Sequence, residues 1–282
     1  MLKRISLVSC LVAAGFLISP KPAISQALVP YTLPLDFEQL QQEGLLLAQE
    51  AAQLAQFQQY QAALSRAQLA VQLAPNEADI WGLLGTLYLQ FDQVESAISA
   101  LEEAQRLAPD NSAVLFALGT ASFQESRYLQ AVDYLEAGLA IEPDSAGALF
   151  DLGNAYYKLS RYDKAISSYE QAAEQEAEFW PAINNIGLVL YEMDRPADAI
   201  QHWQDALAIA AEESEPQLAI AVALYNQGQR EAAINLATEA LERDSRYADL
   251  AFLEENLWGE QLLSATQQFF EVPAMRALLA QL

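Results

Sequence analysis

The sequence has little of the chemistry on which most enzymes and metal sites depend. Its 282 residues include one cysteine, Cys10, and one histidine, His202. One cysteine cannot form a disulfide within the chain, and a lone histidine does not make a zinc site. The sequence contains no nucleophile elbow, phosphate-binding glycine loop or calcium-loop spacing. We therefore expect a protein that is not an enzyme and that holds no metal and no cofactor.

Positive charge is also scarce. Lys and Arg total 14 against 38 Asp and Glu, which gives a formal net charge of -24. Phosphate backbones and anionic bilayers repel such a chain, so nucleic acid is a poor candidate partner. The acidity either keeps the protein soluble or attracts a basic partner. The cluster of Glu212, Glu213 and Glu215 is expected to be a solvated helix start rather than a set of metal ligands.

The first 25 residues have the order of a secretory signal peptide. Lys3 and Arg4 precede an apolar run over 5–18, and prolines and small residues follow it. The run is short for a bilayer span, and an uncleaved anchor is the alternative. Cys10 lies in a string that resembles a lipoprotein box, but too little apolar sequence precedes it. We expect export to a periplasm or, in a photosynthetic cell, a thylakoid lumen, with membrane contact only if the segment is uncleaved.

The remaining sequence repeats with a period of 34 residues. Three interleaved series share this period, which chance does not plausibly explain. Small residues at such places let two helix backbones approach closely, and proline past the second helix stops it. The series are Ala63, Ala97, Ala131, Ala165, Ala199 and Ala233; Gly85, Gly119, Gly153 and Gly187; and Pro75, Pro109 and Pro143.

Within each unit, apolar residues recur at helical spacing, as in Trp81, Leu84 and Leu87 followed by Val94 and Ala97. This spacing predicts two short amphipathic helices per unit. One helix pair cannot bury its apolar face, whereas stacked pairs can. The pattern therefore predicts a solenoid.

This pattern resembles the tetratricopeptide repeat family. The resemblance implies an all-α, right-handed superhelical α-solenoid of about six helix-turn-helix repeats, used as a scaffold for protein or peptide partners. With the signal-like segment, it suggests an exported bacterial member, with a cyanobacterium as one candidate source. The residues that carry it are Trp81, Leu84, Gly85, Tyr88, Ala97, Leu101, Ala104 and Pro109, and their counterparts Leu149, Leu152, Gly153, Tyr156, Ala165, Tyr169 and Ala172.

The repeat rule also sets the expected boundaries. Residues 1–25 are the signal peptide, 26–43 are an N-terminal extension that includes the start of the first helix, and 44–247 are six repeats. Residues 248–282 form a C-terminal helical cap. The expected units are 44–77, 78–111, 112–145, 146–179, 180–213 and 214–247.

The resemblance implies that the first helices of successive units line a concave groove. An aromatic stripe there suits an extended or helical segment of a neutral or basic polypeptide. Too few cations lie in this register to hold a carboxylate tightly. The alternative is that the aromatic residues pack between units, Tyr157 above all. The candidate groove residues are Phe116, Thr120, Phe123, Phe150, Asn154, Tyr157, Lys158, Asn184, Tyr191 and Tyr225.

The tail beyond the repeats has two interpretations. Leu250, Leu253, Leu257 and Trp258 suit a helix that packs on the sixth unit as a cap. A dimerisation or partner interface is the alternative, and its candidate residues are Phe269, Phe270, Met275, Leu278, Leu279 and Leu282.

The leading functional hypothesis is a scaffold that binds a protein segment during assembly of an envelope or photosynthetic complex. A self-associating structural protein and a membrane-complex subunit are the alternatives. The sequence leaves the oligomeric state open.

Overall fold

The computed structural model describes residues 36–282. The expected signal peptide, with Cys10, and residues 26–35 of the extension lie outside the described residues. Among the described residues, no helix is long and apolar enough to cross a membrane.

Six antiparallel helix pairs come first and three short helices follow, which confirms the expected all-α repeat fold. Residues 37–43 belong to the first helix. The pairs are α1 (Phe37–Gln56) with α2 (Tyr60–Leu73), α3 (Ala78–Gln90) with α4 (Val94–Leu107), α5 (Ser112–Gln124) with α6 (Tyr128–Ile141), α7 (Ala146–Lys158) with α8 (Tyr162–Gln175), α9 (Trp180–Glu192) with α10 (Pro196–Ile209), and α11 (Ser214–Asn226) with α12 (Arg230–Arg243).

The turn inside each pair has a left-handed residue at the same place in the repeat. This conformation disfavours side chains with a Cβ, yet only the last of the six positions is glycine. The backbone amide at this position bonds back to the first helix, as Asp92 does to the Leu89 carbonyl at 3.0 Å, and so closes the helix end. The six residues are Gln58, Asp92, Ser126, Ser160, Asp194 and Gly228.

The glycine series marks close helix contacts. A Cβ added to Gly153 would lie 2.5 Å from the ring of Tyr169, and one added to Gly187 would lie closer still to the Trp203 indole. Trp203 is fully buried and His202 beside it is half-buried. The small residue of the first helix therefore makes room for a large residue of the second.

First helices of successive units touch each other, as α1 does with α3, α3 with α5, and α5 with α7. They form one layer, and each second helix before α12 packs against the first helix of the next unit, as α2 does against α3. We call the surface of the first-helix layer the first-helix groove. One continuous core runs from α6 to the C terminus, and two smaller clusters serve α1 to α5.

The C-terminal segment, residues 245–282, folds back onto the repeats. It comprises a 3-10 turn (Ser245–Ala248), α13 (Leu250–Glu255), α14 (Glu260–Phe270) and α15 (Pro273–Leu279). Helix α14 packs against α9 and α11, and α15 packs against α12. Leu253 and Trp258 are buried as expected, although Leu257 lies in the left-handed turn after α13 rather than within a helix.

Candidate functional site

The first-helix groove is divided into two parts by the C-terminal segment. Over α3, α5 and α7 it is open except at the end of α7, where Tyr157 and Lys158 lie beside the C-terminal segment, and we call this the open part. Over α9 and α11 it is covered by α14, and we call this the covered part. Among the first helices α1, α3, α5, α7, α9 and α11, the only basic residue is Lys158, which is exposed at the end of α7.

The covered part has a buried, apolar floor. Leu188 of α9 and Leu218 and Val222 of α11 are at most 1% exposed. The ring of Tyr225 stacks on Phe269 of α14 with 4.8 Å between centroids. Tyr225, which the repeat directs into the groove, therefore contacts the protein's own helix α14.

Glu192, the last residue of α9, holds the start of α14. Its two carboxylate oxygens accept hydrogen bonds from the backbone amides of Gln261 (3.1 Å) and Leu262 (3.0 Å). These amides belong to the first turn of α14, which has no other helical partner for them. Burial raises the pKa of Glu192, and the two amide hydrogen bonds oppose that rise. The carboxylate thus caps the helix and faces the positive end of its dipole.

Gly259 is the N-cap residue of α14 and has no room for a side chain. A Cβ there would lie 2.5 Å from the Tyr157 hydroxyl oxygen and closer still to the Glu192 carboxylate. Tyr157 is buried, and its hydroxyl makes no hydrogen bond within the described residues. Burial raises the pKa of this tyrosine. The end of α7 is therefore part of the α14 docking surface.

Glu215 is buried, so the expectation of a solvated helix start is wrong for this residue. The turn before α14 covers it, and the indole Nε1 of Trp258 donates a 3.1 Å hydrogen bond to its carboxylate. Burial raises the pKa of Glu215 to about 7, against hydrogen bonds from Trp258 and Asn184. Among the described residues, no group of acids, histidines or cysteines is arranged to hold a metal.

Asn154 and Asn184 lie in a buried polar cluster rather than on a free surface. The Asn154 side-chain oxygen accepts from the Tyr169 hydroxyl (2.7 Å) and from the Asn185 amide (3.1 Å), and Asn184 donates to Asn185 at 3.2 Å. These bonds pair most of the polar groups of the cluster, whereas the Asn184 side-chain oxygen has no hydrogen-bond partner within the described residues. Both asparagines are buried, so neither side chain is exposed to a ligand on the groove surface in this structure.

Most of the candidate residues of the C-terminal interface are buried by contacts within the chain itself. Phe269 and Met275 are fully buried and Phe270 nearly so. Leu278 and Leu279 are half-buried against the core, and Leu282 is exposed. The apolar stripe of the tail thus attaches the tail to the repeats.

The aromatic residues of the open part are half-buried and make contacts within the fold. Phe116 packs against Gly138 of α6, and Phe123 contacts Tyr128 with 5.3 Å between centroids. Phe150 lies 5.6 Å from Tyr169 and 5.3 Å from Phe179. These contacts lie within single repeat units rather than between units, so they differ from the packing alternative that the sequence left open for the stripe.

Polar residues line much of the remaining open surface. Thr120 donates a 2.8 Å hydrogen bond to Asp151, whose pKa is raised by burial. A cavity of about 180 Å³ lies between α3 and α5, and Asp79, Thr86 and Asn111 contribute polar groups to its wall. Its remaining wall is apolar, from Gly82, Leu83, Leu101, Ala113, Val114 and Ala117.

Glu192, Glu215 and Gly259 are not among the candidate site residues that the sequence indicates. Glu192 occupies the repeat position of Lys158, and Gly259 lies beyond the six repeats. The one signal was Gly259 just before an amphipathic run, which is a weak mark of a helix start.

Sequence models of the tetratricopeptide repeat match most of the paired helices. One model matches residues 54–119 and 122–186, and a second matches 182–216. Together they cover more than half of the chain. No curated protein sequence matches the chain.

The fold is similar to several solved structures. A crystal structure of MamA protein has a TM-score of 0.54 at 22% identity, over 61% of this chain and 93% of that one. A MamA fragment from Desulfovibrio magneticus RS-1 has a TM-score of 0.55 at 18% identity, over 60% and 96%. YrrB, described as a TPR protein with an unusual peptide-binding site, has a TM-score of 0.54 at 19% identity, over 64% and 96%. At these identities the likeness is one of fold.

Proposed function

This chain belongs to the tetratricopeptide repeat family and is a non-enzymatic scaffold for protein-protein interaction; on that premise we propose that it binds a segment of a partner protein on the open part of the first-helix groove. The observation that carries the proposal is the division of the groove. The covered part already holds α14, whereas α3, α5 and α7 present an unfilled surface with a cavity between α3 and α5.

Charge selects a neutral or basic segment. Asp79 is exposed beside the cavity, and the exposed Lys158 is the one basic residue on the first helices. The chain as a whole carries a net charge of -24. An acidic peptide would be repelled on approach and would find no bidentate arginine to bind it.

The signal-like order of residues 1–25 supports export to a periplasm or a thylakoid lumen. In such a compartment we propose a role in assembling an envelope or photosynthetic complex. Fractionation of the source cells with an antibody against the chain tests the location, and recovery in the cytoplasm alone would contradict it.

Thr86 gives the sharpest test of the open part. Its side chain is exposed on the cavity wall and bonds only its own helix, to the Gly82 carbonyl (2.8 Å) and the Leu83 carbonyl (3.1 Å). Thr86→Arg fills the cavity and adds a positive charge without opening the core. Ser65→Arg, at an exposed position of α2, is the matched control.

In the experiment, the tagged full-length chain captures partner proteins from its own compartment. The binding of each identified protein is then measured for the unmodified chain and for the two variants. We expect Ser65→Arg to bind the same protein as the unmodified chain and Thr86→Arg to lose it. Equal binding by Thr86→Arg would exclude the open part as the site.

A further inference from the structure

We infer that the covered part of the groove is a receptor for an amphipathic helix, that α14 is its resident occupant, and that a partner helix of the same chemistry takes its place when the C-terminal segment opens. This inference deepens the proposed function, because it assigns the second half of the same groove. It rests on four features of the contact between α14 and the repeats.

The first feature is the one-sided contact of α14. Leu262, Ala265, Thr266, Phe269 and Phe270 are buried, and they follow the spacing i, i+3, i+4, i+7 and i+8. The opposite face, with Gln261, Ser264, Gln267 and Gln268, is exposed. Such a helix laid in an apolar groove is a recurring mode of peptide recognition. The covered part thus already displays the complete geometry of a bound helical ligand.

The second feature is recognition of a helix start. Glu192 binds backbone amides of residues 261 and 262, which any helix presents in its first turn whatever its side chains. Gly259 precedes that turn, and Glu192 and Tyr157 leave no room there for a Cβ. A partner helix must therefore begin after a glycine and carry its apolar residues from the third helical position onward.

The third feature is the desolvation of polar groups that accompanies docking of the C-terminal segment. A buried carboxylate, Glu215, and a half-buried one, Glu192, bond the C-terminal segment, and the buried Tyr157 hydroxyl beside it has no hydrogen-bond partner within the described residues. Opening the segment returns all three groups to water. Desolvated polar groups of this kind offset part of the apolar gain from Phe269 and Leu262.

The fourth feature is the form of the segment itself. Helices α13 and α15 have 6 and 7 residues, too short to be stable without the repeats. A cavity of about 450 Å³ runs beside α14, bordered by Asp194 and Asn226 on the repeats and by Ser264 and Gln268 on the helix. Short terminal elements with open flanks are those that detach before the rest of a fold.

The partner chemistry follows from the resident helix. We expect a segment with glycine at the N-cap, an apolar residue at the third helical position and aromatic residues two turns further on. A side-chain N–H donor just before the glycine would replace Trp258 at Glu215. A second copy of this chain carries such a segment, so a peptide of its residues 257–282 represents the partner helix in the test.

The test uses the full-length chain and, as probe, a labelled peptide of residues 257–282. Gly259→Ala forces a Cβ against Tyr157 and Glu192 and loosens the segment. Gly147→Ala is the matched control, because nothing lies within 4 Å of the Cβ it adds to α7. Amide hydrogen exchange reports opening, and fluorescence anisotropy reports peptide binding.

In the unmodified chain we expect α14 amides to exchange through openings that leave α9 to α12 protected. In Gly259→Ala we expect α14 exchange to rise by about tenfold, with peptide binding at least about tenfold tighter than to Gly147→Ala. Phe269→Ala in the peptide should weaken that binding by a similar factor.

The inference is overturned if α14 in the unmodified chain exchanges only together with α11 and α12, since the segment would then be a permanent part of the core. This measurement decides the question even if Gly259→Ala fails to fold. The inference is also overturned if the Gly259→Ala chain folds, shows faster α14 exchange and does not bind the peptide. Neither result bears on the open part, whose role depends on the Thr86 experiment.

Discussion

Glu192 and Leu262 are joined by a 3.0 Å hydrogen bond in which the Glu192 carboxylate accepts from the Leu262 backbone amide, across 70 residues of sequence. The same carboxylate accepts from Gln261, and the Gln261 side chain donates to the Glu192 carbonyl at 2.8 Å. One residue of the fifth repeat thus fixes where the last long helix begins.

Glu192→Gln should lower the free energy of unfolding by about 1 kcal/mol, because an amide has one acceptor oxygen and cannot bind both the Gln261 and the Leu262 backbone amides. Chemical denaturation followed by circular dichroism measures the change. Glu102→Gln, at an exposed position in the middle of α4, should leave the stability nearly unchanged. Equal stabilities for the two variants would contradict the capping role of Glu192.

Stability should fall as pH rises from about 4.5 to about 7, in part because of Glu215. The folded protein holds the Glu215 proton up to a pKa of about 7, whereas the unfolded chain releases it near 4.5. Protonation therefore stabilises the fold below the lower value, and this contribution, about 3 kcal/mol, is lost by the upper one. Burial acts in the same direction on Glu192.

The measurement that isolates Glu215 is the difference between the unmodified chain and Glu215→Gln in denaturation at pH 5 and pH 8. The amide keeps the size and the acceptor for Trp258 but does not titrate. We expect the unmodified chain to lose more stability over this interval than the variant. Parallel losses would show that Glu215 is not the group that titrates.

Gly187→Ala should destabilise the protein by about 1–3 kcal/mol, because the new methyl group collides with the buried Trp203 indole. The Trp203 Nε1 also donates to the Asn184 carbonyl at 3.1 Å, so the ring cannot move without loss of that bond. Gly147→Ala, with open space around the added Cβ, should instead stabilise its helix by up to about 1 kcal/mol. Thermal melting of both variants checks the opposite signs.

Phe150→Ala should cost about 3 kcal/mol of stability, because it removes a ring packed between Tyr169 and Phe179. Leu129→Ala, at a leucine that is 58% exposed on α6, should cost less than about 0.5 kcal/mol. A small effect of Phe150→Ala on melting would mean that its ring serves the groove rather than the fold.

The sequence was informative about the repeats because each repeat is built from contacts that are local and recur. Gly187 meets Trp203 within one unit, and the same pairing joins Gly153 to Tyr169. A pattern repeated at 34 residues exposes such pairs without a structure. The left-handed turn residues, such as Asp92 and Ser126, were not foreseen, because side chains other than glycine occupy them.

The candidate site was less predictable than the fold. Helical register predicts that Tyr191 and Asn184 lie on the groove side, but register does not say what covers them. Both are buried, Tyr191 in the part of the groove that α14 covers and Asn184 in a polar cluster. Glu215 looked like one of three equivalent acids, and only its contact with Trp258 distinguishes it.

By itself the sequence determined an all-α array of stacked helix pairs, since periodic small and apolar residues specify short-range packing wherever they recur. Only the tertiary structure decided which part of the groove stays open. The contacts of Glu192 with Leu262 and of Glu215 with Trp258 span 70 and 43 residues. These contacts do not recur with the 34-residue period. An amphipathic helix can pack on any apolar surface, and only the folded chain determines which surface lies within its reach.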